Sequence, residues 1–182
     1  MIKNPWKKLS SKIVYSNRWL SVREDQVIRP DGGKGIYSVV ESPSTVYIIA
    51  LDNTSKLCLI GQHRYPTNMF SWEVPSGSSN NQNLFTAAKR ELKEETGLEA
   101  KIWKTVGTFQ ALNGFGTEIG YVFIAKDLIQ TSSHKQEEEG ITSIKIVSLK
   151  AAFSLIKSGE ISDAQTITAL TLVALKIGQM VY

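Results

Sequence analysis

Hydrophobic and polar positions divide this chain into a strand-rich first half and a mixed second half. Between Ser11 and Glu41 the runs Ile13-Val14-Tyr15, Trp19-Leu20-Ser21-Val22 and Val27-Ile28 are dense in β-branched and aromatic residues. Arg29-Pro30-Asp31-Gly32-Gly33 interrupts them as a turn, which predicts a strand pair or small antiparallel sheet. Strands are predicted next over 45–51, 56–63 and 70–74, punctuated by Asp52-Asn53 and stopped by Pro75-Ser76-Gly77. The period then changes. Phe85, Ala88 and Leu92 recur at helical spacing, and Gly97 supplies a C-terminal stop, so a helix is predicted over 85–96. Strands over 102–110, 120–125 and 144–147 follow, then helices over 149–158 and 163–177. This order predicts an α+β fold, a mixed sheet flanked by helices. Residues 1–42 form a separate β-subdomain in this reading, and residues 43–182 the main domain.

Composition narrows the function classes. With 182 residues and 42% hydrophobic content, the chain can bury a core without disulfides or a structural metal. The net charge is +4, but Lys and Arg are scattered with no basic run, which argues against sequence-specific nucleic-acid binding. Acidic residues are the clustered ones, at 91–99 and 137–139. The single Cys58 lies in the apolar run Leu57-Cys58-Leu59-Ile60 and reads as a buried thiol of a reducing compartment. No apolar stretch reaches membrane-spanning length, and the first residues lack the apolar core of a signal peptide. The expectation is a cytoplasmic protein that does not engage membranes.

The chemistry concentrates in Arg90-Glu91-Leu92-Lys93-Glu94-Glu95-Thr96-Gly97-Leu98. Glu91, Glu94 and Glu95 stand at i, i+3 and i+4, so their carboxylates share one helical face. Like charges there oppose the helix, and the last turn prefers cations. Either the face is merely solvated, or a cation sits among the carboxylates. Hard oxygen donors select magnesium or manganese over zinc, and His63 and His134 are not at a metal-ligand spacing.

The stretch resembles the R-E-U-x-E-E-x-G-U core of the Nudix hydrolase family, where U is aliphatic. Such a match arises by chance in about one chain in 10⁵ of this length. The full Nudix box also carries an upstream Gly and Glu. Here Gly77 stands one position late, so the 78–83 loop is one residue short, and the Glu falls at Gln82 or Asn83. The carboxylate is absent; an amide there would be left to hydrogen-bond Arg90.

Trp72-Glu73-Val74-Pro75-Ser76-Gly77 and Gln62-His63-Arg64-Tyr65-Pro66 are similar to segments of ADP-ribose pyrophosphatase-like members, as is Ser158-Gly159-Glu160-Ile161-Ser162-Asp163-Ala164-Gln165-Thr166. The resemblance implies the Nudix fold, a mixed β-sheet sandwiched between helices with an N-terminal antiparallel β-subdomain. It implies metal binding by Glu91, Glu94, Glu95 and the Ser76 carbonyl, with Mg2+ as cofactor and Mn2+ as substitute. Substrate contacts are implied for Arg64, Glu73 and Glu118. Arg64 reads otherwise as a surface ion pair, and Asn113 stands where the subgroup has a marker Pro before Glu118. Glu137-Glu138-Glu139 is either a solvated loop or, as in relatives, the source of a base or extra ligand; Glu138 and Glu139 are the candidates carried forward. The implied reaction is hydrolysis of a nucleoside diphosphate linked to another moiety, of ADP-ribose or nucleotide-sugar type, by a homodimer joined through its N-terminal sheet. A catalytically weakened nucleotide-binding module is the alternative.

Overall fold

The computed structural model describes residues 3–178, which divide into two compact units. The first comprises the N-terminal strands and the segment Gln110–Ile119. Strands β1 (Lys7–Ser16), β2 (Ser21–Ile28) and β3 (Lys34–Glu41) form an antiparallel sheet in that order. The β1–β2 turn closes on the Asn17 carboxamide, which accepts from the Trp19 and Leu20 amides at 2.8 and 3.0 Å. In the β2–β3 turn Gly32 adopts a φ of 83°, a left-handed conformation in which a side chain would be strained. Segment 110–119 joins β3 through Val40, whose N–H donates to the Phe115 carbonyl at 2.7 Å. Every residue of β1 is exposed, including Leu9, Ile13, Val14 and Tyr15.

The second unit holds two sheets and the helices α1 (Leu84–Thr96), α2 (Leu149–Ser158) and α3 (Ala164–Lys176). One sheet is ordered β7 (Ser76–Ser78), β4 (Thr45–Ala50), β9 (Ile119–Gln130), β8 (Leu98–Gln110), with β4 and β9 parallel. The other is ordered β10 (Ile141–Ser148), β5 (Lys56–Arg64), β6 (Met69–Glu73), all antiparallel.

β4 explains the layering. Its side chains alternate between faces, yet both faces are apolar, so it must be covered on both sides. Val46, Ile48 and Ala50 pack with Ala87, Ala88 and Leu92 of α1. Tyr47, Ile49 and the following Leu51 pack with Ala152 of α2 and Ala169, Leu170 and Val173 of α3. The sheet is thus sandwiched between α1 on one face and α2 with α3 on the other. The expected elements all occur, several longer than their apolar cores: β1 starts at Lys7, and β8 at Leu98. β7 is the addition. Ser-Gly-Ser carries no apolar signal; this strand exists because Thr45, Val46 and Tyr47 offer it a ladder.

Candidate functional site

Helix α1 is set between two caps. The Asn83 carboxamide accepts from the Phe85 and Thr86 amides at 3.0 and 3.3 Å, and Gly97 ends the helix at a φ of 70°. With Ala87, Ala88 and Leu92 in the core, Glu91 and Glu95 are drawn down beside them, each only 6% exposed. Burial pushes the Glu91 carboxyl up to about 7, against the opposing pull of Arg90. Burial also lifts Glu95 well above the usual carboxylate range, although it accepts the Ser76 N–H at 2.7 Å. The Glu91 charge adds to the lift at Glu95.

β7 lies directly on this pair. A Cβ at Gly77 would overlap the Glu91 carboxyl carbon and both its oxygens, so only glycine lets the backbone come this close. The same Ser76, Gly77 and Ser78 line a cavity of ≈ 680 Å³, with Arg64, Glu73 and Asp163 on other parts of its wall. That volume falls within the range of small-molecule sites.

Arg64 and Glu73 form a unit. Glu73 is buried and takes Arg64 Nε at 3.0 Å and Nη2 in a close ion pair; Gln62 adds a bond to the same carboxylate at 3.4 Å. Arg64 is half-exposed toward the cavity, and the Glu73 bonds hold its guanidinium charged. Glu73, expected among substrate contacts, is bonded to Arg64 and Gln62.

Glu94 differs from its neighbours. Burial opposes its ionisation, yet Lys135 and Arg90 hold it below the usual carboxylate range. Arg90 Nη1 bonds its Oε2 at 2.9 Å and Lys135 Nζ its Oε1 at 2.8 Å. Arg90 Nη2 also reaches Glu91 at 2.7 Å and the Ser78 carbonyl at 2.8 Å, while its Nε is buried with no partner. The amide substitute expected for Arg90 is not made: Asn83 is used as the helix cap, and Gln82 is exposed.

Among the loop glutamates, the Glu139 charge raises both Glu91 and Glu95, whereas that of Glu138 acts on Lys135. Glu118 belongs to segment 110–119 of the first unit. Cys58 is buried, and burial with the Glu95 charge behind it pushes its thiol up to about 12, so it is an inert core residue. Two features escaped sequence reasoning. Lys135 carried no motif, and the α3 N-terminus, capped by Asp163 at 2.7 Å from the Thr166 amide, belonged to a quoted segment but had no role assigned.

A metal would find hard oxygens here. Among the described residues no three acidic, His or Cys side chains cage a metal by themselves. The two buried carboxylates are nonetheless hard oxygen donors of the kind a divalent cation takes. No helix of the described residues is long and apolar enough to cross a membrane.

Comparison with known proteins agrees with this picture. Residues 6–40 match the nucleoside diphosphate sugar hydrolase N-terminal domain, and residues 41–170 match the NUDIX domain. The chain is similar to an ADP-ribose pyrophosphatase of Bacillus subtilis (strain 168), 28% identical over 172 residues and 93% of each chain. It is also similar to a methanol dehydrogenase activator of Bacillus methanolicus, 29% identical over 167 residues and 90% of each chain. A crystal structure of an ADP compounds hydrolase shares the fold, with a TM-score of 0.82 at 21% identity, over 96% of this chain and 97% of that one.

Proposed function

Because the chain belongs to the Nudix family of pyrophosphohydrolases, we propose that it hydrolyses a nucleoside diphosphate linked to a second moiety, of ADP-ribose or nucleotide-sugar type, with magnesium. One observation carries the reading: the β7 backbone that lines the cavity also rests on the buried Glu91–Glu95 pair. A diphosphate in the cavity would lie against that strand. The names of the relatives and of the N-terminal domain match support the substrate class.

Glu91, Glu95 and the Ser76 carbonyl would hold the divalent cation. When bound, such an ion offsets phosphate charge and lowers the pKa of water. Arg64 receives the diphosphate. Glu73 occupies Nε and Nη2, which leaves Nη1 for a phosphate oxygen and fixes the plane of the fork. Glu139, whose charge reaches both buried carboxylates, is the loop glutamate to which we assign the proton of the attacking water. Glu138 and Glu118 are assigned lesser roles, in loop charge and in substrate contact. The exposed Leu9, Ile13, Val14 and Tyr15 of β1, with Trp19 63% exposed just beyond it, support a homodimer through the N-terminal sheet. The single buried, reduced cysteine supports a cytoplasmic location.

The test is nucleoside monophosphate release from ADP-ribose, ADP-glucose, GDP-mannose, NADH and diadenosine polyphosphates, each with magnesium and with manganese. Turnover is expected on the first three, falling at least about a hundredfold in Glu95→Gln. The unpaired Arg90 Nε favours a second reading, a nucleotide-binding module with a weakened site. Binding without turnover on any substrate would replace the first reading with the second.

A further inference from the structure

The loop bearing the three glutamates is fastened to α1 at Glu94, and we infer that this fastening, by Lys135, positions the loop carboxylates for turnover. The inference rests on the hydrolase reading above. Lys135 meets Glu94 twice: its backbone N–H donates to the Glu94 carbonyl at 2.7 Å, and Nζ stands 2.8 Å from Oε1. Arg90 holds the other Glu94 oxygen and reaches the Ser78 carbonyl of β7. A continuous line of bonds therefore runs from the cavity wall through Arg90, Glu94 and Lys135 into the loop.

The rest of the loop follows from that point. The Glu139 N–H donates to the Lys135 carbonyl at 3.0 Å, Gly140 to Glu137 at 3.2 Å and Ile141 to Gln136 at 2.8 Å. Lys135–Ile141 is thus a compact turn leading straight into β10. On the other side, the Thr131 N–H and hydroxyl both donate to the Gly97 carbonyl, at 2.8 and 2.9 Å. Thr131 and Lys135, both ahead of the glutamates, are thus pinned to the C-terminal end of α1, the helix that carries Glu91 and Glu95.

Two facts make this a positioning device rather than a stability element. The Lys135 side chain is 51% exposed, so its ion pair adds little to global stability. Its effect is local, because the turn that carries Glu139 begins at its carbonyl. Both Glu94 oxygens are held by cations, so Glu94 serves as the anchor of this line. Lysine suits the task, since its ammonium reaches Glu94 while its backbone starts the turn.

The experiment compares Lys135→Met, Lys135→Arg and, as a control on the exposed Lys101–Asp127 pair, Lys101→Met. Hydrogen exchange of the 135–141 amides and steady-state kinetics on the preferred diphosphate substrate are measured for each. In Lys135→Met the amides should lose protection and kcat should fall about tenfold or more, with KM within about twofold and Tm unchanged. Lys135→Arg should restore both readouts, and Lys101→Met should leave both alone. Intact amide protection in Lys135→Met overturns the fastening. Lost protection with kcat intact, or no rescue by arginine, overturns the positioning role. If the wild-type protein turns over no diphosphate, the hydrolase reading falls by itself, and amide protection alone decides whether Lys135 fastens the loop.

Discussion

Gly77→Ala is the substitution in which the geometry of the site speaks most directly. An alanine Cβ would overlap the Glu91 carboxyl group. The strand cannot simply retreat, because Gly77 pairs with the fully buried Val46 and its neighbour Ser76 donates to Glu95. The helix cannot retreat either, since Ala87, Ala88 and Leu92 are fully buried in the core. Overpacking of this kind costs about 1–3 kcal/mol. For a chain of this size that lowers Tm by about 2–12 °C. Turnover should suffer more, because displacing a positioned group by about 1 Å costs on the order of a hundredfold. Gly107→Ala is the control, as its Cβ would meet only Leu172 at 4.0 Å, an ordinary contact.

The double variant Gly77→Ala/Glu91→Ala separates the two effects. Removing the carboxylate removes the overlap, so Tm should recover part or all of the loss while turnover does not recover. Thermal melts and monophosphate release under one buffer check both. If Gly77→Ala melts within a degree of wild type (a limit of about 0.3 kcal/mol) and keeps its activity, β7 does not lie on the carboxylate. A double variant that melts no higher than the single one would mean that the cost arises elsewhere in the strand.

Metal-free protein should carry a pH-dependent penalty at Glu91. Its folded pKa of about 7 exceeds the ordinary 4.5, so the folded state holds a proton that the unfolded state releases; stability falls as pH rises from about 4.5 to 7, by about 3 kcal/mol in all, and Glu95 adds in the same direction. In EDTA, the Tm difference between Glu91→Gln and wild type should therefore grow in the variant's favour from pH 5 to pH 8, and a constant difference refutes it. Arg64→Ala should raise KM and also cost about 1–3 kcal/mol, because the buried Glu73 loses its guanidinium and keeps only Gln62 and cavity water as partners. Adding Glu73→Gln should restore Tm but not KM, which melts and kinetics will separate. Asn83→Ala should lose about 1 kcal/mol of α1 capping, read as a Tm lower by about 2–4 °C; no change would mean that water replaces the cap.

How much of this was legible beforehand depended on whether the signal was local. The apolar run of β4, the helical period at Ala88 and Leu92 and the Gly97 stop are decided within a few residues, and the corresponding elements appear where expected. The Nudix core was legible for the same reason, since its residues sit on one helix. β7 was not, because Ser-Gly-Ser has no strand propensity and is held by pairing with β4. Lys135 was invisible because its partner lies forty-one positions earlier, and no periodicity links a loop lysine to a helix carboxylate.

The three carboxylates of α1 show where spacing stops informing. Glu91, Glu94 and Glu95 share a face by their positions alone, and by that criterion they are equivalent metal ligands. Packing separates them. The core-facing rotation set by Leu92 and Ala88 submerges Glu91 and Glu95, while Glu94 stays at the rim where Arg90 and Lys135 reach both its oxygens. The shortened loop belongs to the same argument. With one residue fewer, Asn83 arrives at the helix start and caps it, and Arg90 turns to the Ser78 carbonyl, leaving Nε unpaired. The lost box glutamate is therefore compensated at the helix end and on the strand, though not at Arg90 Nε. Arg90 still bridges β7, Glu91 and Glu94.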